Sequence, residues 1–108
     1  MNPLEATWLV FENRAHPGEL VTLQAGAEKY ALVYTDAALA GAFLADLNDP
    51  DLHTSSLETW VLKDAFLTAA ALIGATRVLF DYQRGMHDAT SAPLEGLQGF
   101  VRDHIGTP

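Results

Sequence analysis

The four histidines, His16, His53, His87 and His104, are the first side chains to weigh for acid–base or metal chemistry in a chain of 108 residues that has no cysteine. No two of them stand three or four residues apart, so none pair on one helical face, and HExxH does not occur. His104 falls in the last turn of an expected helix, where an imidazole interacts favourably with the helix dipole. The richest polar cluster is Asp81 with Arg84, His87 and Asp88. A carboxylate near a strand end, followed by a Gly-containing loop, is either a polar site carried on a rigid scaffold or an ordinary solvated turn. Ser55 and Ser56 read as helix caps, no nucleophile has a base and an orienting partner, and GxSxG, GxGxxG and GxxxxGK are absent. Asp46 to Asp51 lacks the alternate ligands, central Gly and terminal Glu of a calcium loop, and reads as an acidic turn ending a helix. The expectation is a non-catalytic chain without cofactor or metal. The alternative is a small enzyme or ligand-binding protein using Asp81, Arg84, His87 and Asp88.

Charge and composition narrow the partners. Six Lys and Arg against fourteen Asp and Glu give a net charge of −8, and the six bases are scattered singly, which argues against a nucleic-acid backbone. The acidity is uneven: eight acids and two bases lie in residues 1–54, six acids and four bases in 55–108. An acidic adaptor for a basic partner is a further possibility. The N-terminus MNPLEATWLV has no secretory-signal pattern, so cytoplasmic residence is expected. The longest nearly apolar run, Ala65 to Ala75, is about half of the ~20 residues needed to cross a bilayer, so no membrane contact is expected. Absent cysteine fits a reducing compartment. The length suits one domain, 1–108, with only Gly106-Thr107-Pro108 expected to fray.

These residues need elements to position them. Thr7 to Asn13 is an aromatic and branched run that stops at His16-Pro17-Gly18, a turn signal. Leu20 to Ala25 and Lys29 to Thr35 follow around Gly26, so the first third resembles an antiparallel meander. Thr35 or Asp36 caps a helix carrying Leu39, Phe43 and Leu47 on one face and ending near Asn48. Ser55-Ser56-Leu57-Glu58 fits a capping box, which predicts a helix from about Leu57 to Ile73, closed by Gly74. Arg77 to Tyr82 reads as a strand. Ser91 caps a last helix starting at Ala92-Pro93 and running to about His104. The expected fold is two-layer α+β in the order β-β-β-α-α-β-α, with a four-stranded antiparallel or mixed sheet and three helices mainly on one face.

Periodicity then divides the surfaces. In the 57–73 helix, Val61, Leu62, Ala65, Phe66, Ala69, Leu72 and Ile73 form the sector expected on the sheet. Trp60, Leu67 and Ala71 form a second stripe, covered either by another helix or by a subunit interface. Strand alternation puts Leu9, Phe11, Val21, Leu23, Ala31, Val33, Val78 and Phe80 on the helix-covered side. Trp8, Tyr30, Leu32, Tyr34, Arg77 and Leu79 then fall on the open face. An open face of aromatics and Arg is either ordinary amphipathic surface or the centre of an interface.

The stretch KYALVYTDAALAGAFLADL, a strand closing in Tyr34-Thr35-Asp36 and opening into an alanine-rich helix, resembles the N-terminal domain of the SseB-like (enhanced serine sensitivity protein) family. There a similar aromatic-Thr step leads into a helix with an inward Phe, here Phe43. RVLFDYQRG departs from that family's Asn-Pro-Gly-like strand exit. The resemblance implies a non-catalytic α+β domain associated with protein interaction or regulation, and it brings no catalytic residues.

The leading expectation is therefore a soluble binding or regulatory module that self-associates or docks a protein partner. Trp8, Tyr30, Tyr34 and Arg77 are the expected contacts, with Trp60 and Leu67 as an alternative patch.

Overall fold

A computed structural model describes residues 4–16, 18–86 and 88–105. Pro17 of the expected turn, His87, and the expected frayed end Gly106-Thr107-Pro108 lie outside that set. The aromatic run near the start forms β1 (Trp8–Asn13), and an early hairpin forms from β2 (Thr22–Ala25) and β3 (Glu28–Val33). Gly26 takes φ +61 at its turn, a left-handed conformation that favours glycine. The β1 strand does not join this hairpin as the first arm of a meander. It pairs antiparallel with β4 (Leu52–Leu57), Trp8 opposite Leu57, and among the described residues single bridges link Leu9 to Tyr34 and Glu12 to Leu20, which flank the hairpin strands.

The β4 strand replaces the start of the expected capping-box helix. Pairing with β1 gives alternate residues from Leu52 to Leu57 both of their backbone bonds along a six-residue ladder, where a Ser55 cap would satisfy one or two amides. The helix α2 (Trp60–Leu72) begins three residues later, capped by Thr59 Oγ1, which accepts from the Leu62 amide at 3.1 Å. Two other boundaries meet expectation. Helix α1 (Ala37–Leu47) starts at Asp36, whose carboxylate accepts from the Ala38 and Leu39 amides, and ends at Asn48 in the left-handed region.

Strand β5 (Arg77–Phe80) runs parallel to β3, and β6 (Thr90–Pro93) pairs antiparallel with β5, giving a four-stranded sheet ordered β2-β3-β5-β6. The β6 strand takes the residues expected to start the last helix. Pro93 is tolerated there because β6 is an edge strand, and α3 (Leu94–Ile105) follows directly. Among the described residues the fold is α+β with three helices, as expected, but it has six strands in two sheets, in the order β-β-β-α-β-α-β-β-α.

The helices also divide between the sheet faces instead of sharing one. Ala31, Val33, Val78 and Phe80 pack with Trp8 and Val10 under α2 and α3, through Phe66, Leu67, Ala70, Leu97 and Val101. Leu32, Tyr34 and Leu79 pack with Phe11 under α1, through Ala40 and Phe43. The β1 and β2 residues were expected on the opposite sides. Leu23 sits directly across from Tyr30, and cross-strand partners share a face, so a one-residue difference in register moves every β2 side chain to the other side.

Candidate functional site

The C-terminal ends of the parallel pair β3 and β5 are where an open α/β arrangement commonly binds ligands, and Asp81 lies there at φ +55. Its carboxylate is already engaged: Oδ1 accepts from the Thr35 amide at 2.8 Å and Oδ2 from the Thr35 hydroxyl at 2.6 Å. Next to this clip the Tyr34 hydroxyl donates to the Tyr82 carbonyl at 2.5 Å. Burial, then the charge of Asp81 and the neighbouring Tyr82, push the Tyr34 phenol well above the ordinary tyrosine range. The expected polar cluster does not assemble among the described residues. Asp81 and Asp88 share the lining of one cavity of about 310 Å³, while Arg84 lines a different one. His87 lies outside the described residues.

The sheet face under α1 is only partly covered. Beyond the helix, Leu23, Tyr30 and Leu79 floor a cavity of about 360 Å³, with Tyr82, Met86 and Ala89 of the loop after β5 on its side. Leu23 and Tyr82 also line a neighbouring cavity of about 300 Å³ formed with Val21, Leu32, Phe43 and Leu47, so the two lie side by side and together are called the trough. Exposed Arg84 stands in the lining of the second part. Arg77, half-buried across from Tyr30, donates Nη2 to the Ser91 hydroxyl at 3.1 Å, and Ser91 lines the first part. The trough therefore combines an apolar floor with Arg84 in its lining and Arg77 beside it, two of the six basic side chains of an acidic chain.

Of the four expected open-face contacts, this surface holds Tyr30 and Arg77. Trp8 and Tyr34 are fully buried and do not meet solvent. Trp8 belongs to the α2 side, edge-on to Phe80, and Tyr34 is roofed by α1 through Phe43. Leu67 of the alternative patch is also fully buried, and Trp60 packs edge-on against Phe100 and stacks on His104 at 4.2 Å, so α3 covers Trp60, while Ala71 of the second stripe stays exposed. The trough residues Leu23, Tyr82 and Met86 were missed. The β2–β3 register, which puts Leu23 beside Tyr30, is the information that would have found them.

A second arrangement, which no local residue pattern signals, centres on Lys63, a charged residue only 3% exposed. Its ammonium donates to the carbonyls of Leu4 at 3.1 Å and Ala6 at 2.6 Å and lies over the rings of Trp8 and Trp60, at 5.0 and 4.4 Å. Burial lowers its pKa, partly opposed by Glu5. The amine is tied to backbone and aromatic faces, so it holds the N-terminal segment against α2. Among the other histidines, His53 lies between Glu12, at 3.6 Å, and Arg14, whose Nε donates to its Nδ1 at 3.3 Å. His16 is exposed, and His104 Nδ1 meets the Phe100 carbonyl at 2.9 Å. Among the described residues no three His, Asp or Glu converge as a metal site, and no helix is long and apolar enough to cross a membrane.

Fold and site together define a small α+β domain with helices on both sheet faces and a partly open, arginine-flanked apolar trough. Residues 5–97 match the family described as Protein of unknown function (DUF3234), and the chain belongs to that family. No curated protein matches it.

Proposed function

We propose that the chain is a non-catalytic binding module that takes an extended, carboxylate-bearing protein segment into the trough formed by Leu23, Tyr30, Leu79 and Tyr82. The observation that carries this reading is an apolar, aromatic floor with Arg84 in its lining and Arg77 beside it, bonded to the lining residue Ser91, on a chain of net charge −8. Aromatic and Arg side chains are the types that dominate interface energetics. The apolar floor supplies affinity, and the two guanidinium groups select an acidic partner. Cytoplasmic residence and kinship with SseB-like interaction domains belong to the same proposal. The use of both Asp81 oxygens by Thr35 supports a structural duty for the carboxylate over a catalytic one.

Peptides selected from a display library against the native chain test this. Expected sequences carry Asp or Glu beside an apolar or aromatic residue. Tyr30→Ser should weaken their binding about tenfold, in keeping with an interface residue worth roughly 1–2 kcal/mol, and Arg84→Glu should reverse the preference for acids. Peptides that bind both variants as tightly as the native chain would sink the proposal.

A further inference from the structure

Most of the sector of α2 expected on the sheet instead faces outward, Phe66 alone of it lying in the core. Leu72 is 82% and Val61 62% exposed, and Leu62, Ala65 and Ile73 are exposed with them. The inward face belongs to Lys63, Phe66, Leu67 and Ala70. Val61, Leu62, Ala65, Ala69, Leu72 and Ile73 project into one sector of about 120°. No charge stands within that sector. The acid nearest the middle of α2, Asp64, is turned to α3, where it accepts from Gln98 and Arg102.

We infer that this face is a self-association surface on which a second copy of the chain lays its own α2 antiparallel. The sequence of the face is self-complementary in that orientation. Under a two-fold axis at the level of Leu67, Val61 meets Ile73, Leu62 meets Leu72, and Ala65 meets Ala69, so large residues pair at both ends and small ones let the backbones approach at the centre. The ends carry opposite charges as well. Exposed Glu58 precedes the helix, and the Lys29 ammonium sits on the Ile73 carbonyl at the other end, at 2.9 Å. Antiparallel pairing brings each Glu58 toward the partner's Lys29, with Glu28 nearby moderating the attraction, and opposes the two helix dipoles. Two chains of net charge −8 repel over most of their surfaces, and this strip holds no acid to repel with.

The contact is small. A helix of 13 residues offers a strip about 20 Å long, well short of the ~800 Å² per partner of a standard stable complex. The dimer is accordingly dynamic and concentration-dependent. It is independent of the trough, which lies on the opposite face of the four-stranded sheet.

Sedimentation equilibrium of the full chain, from micromolar to millimolar, tests this. The native chain should pass from one to two chains in mass as concentration rises, and added salt should strengthen association by screening the net charge. Leu72→Glu, an exposed substitution that spares the core, should weaken the dimer about a hundredfold or more. Leu62→Glu should do the same, while Leu62→Glu combined with Leu72→Lys should restore association, because those positions face each other. A native chain that stays monomeric at millimolar concentration overturns the inference. So does a dimer that survives Leu72→Glu, one that is not restored in the double variant, one that dissociates with salt, or one abolished by Arg84→Glu in the trough.

Discussion

At the scale of single residues, Lys63 and Tyr34 carry more than their types suggest. Lys63 occupies a core position because its aliphatic stem lies along two indoles while the ammonium finds two carbonyls. Lys63→Met keeps the stem and removes the donor, leaving the Leu4 and Ala6 carbonyls without it. The expected cost is about 1–3 kcal/mol, with faster amide exchange confined to residues 4–8. Urea unfolding and hydrogen exchange measure both, and unchanged exchange there would contradict the tie. Tyr34 predicts a pH dependence. An unfolded tyrosine titrates near pH 10, and in the folded chain burial, Asp81 and Tyr82 hold the phenol protonated to higher pH. A raised folded value means that the stabilisation is complete below about pH 10 and fades as pH climbs toward that raised value. Tyr34→Phe should lose about 1 kcal/mol at neutral pH with the bond to Tyr82 and then decline less above pH 10 than the native chain. Parallel declines would show that another group titrates.

At the scale of elements, local capping signals were legible where nothing competed and misleading where a strand did. Asp36 and Asn48 bound α1 as their types predict, since the flanking segments have no better use for their backbones. Ser55 and Glu58 matched a capping pattern equally well, yet β1 offered the same stretch a full antiparallel ladder, and no local pattern announces a partner more than forty residues away. The two readings separate experimentally. Thr59→Ala should cost about 1 kcal/mol through α2, whereas Ser55→Ala, placed in mid-strand opposite Val10, should cost clearly less. The reverse order, measured by thermal unfolding, would reinstate the earlier helix start. The phase of α2 was illegible for a similar reason: hydropathy sets Lys63 on the wet side, and its burial rotates the apolar sector outward.

For the whole molecule, the α+β class, the β2–β3 hairpin and the three helices were readable from periodicity and turn residues. The division of the helices between two sheet faces was not. Face assignment depends on register, and register on pairings distant in sequence, so only half of the expected contact surface, Tyr30 and Arg77, stays open. The two proposed surfaces make separable predictions. Trough binding should favour acidic peptides and weaken with salt, while α2 pairing should strengthen with it. A dimer joined through α2 would also present two troughs, which makes avidity for a repeated target measurable as tighter binding to a tandem peptide than to a single one.

The pairing of β1 with β4 has a consequence in time. A chain emerging at about 5–20 residues per second exposes Trp8, Val10 and Phe11 several seconds before Leu57, the last residue of their partner strand, has been made. Tyr34 likewise precedes Tyr82, whose carbonyl later holds its hydroxyl. The aromatic and aliphatic strand β1 thus lacks its ladder partner throughout the first half of synthesis. Pauses before β4 should accordingly lower the soluble yield far more than pauses after α3 begins.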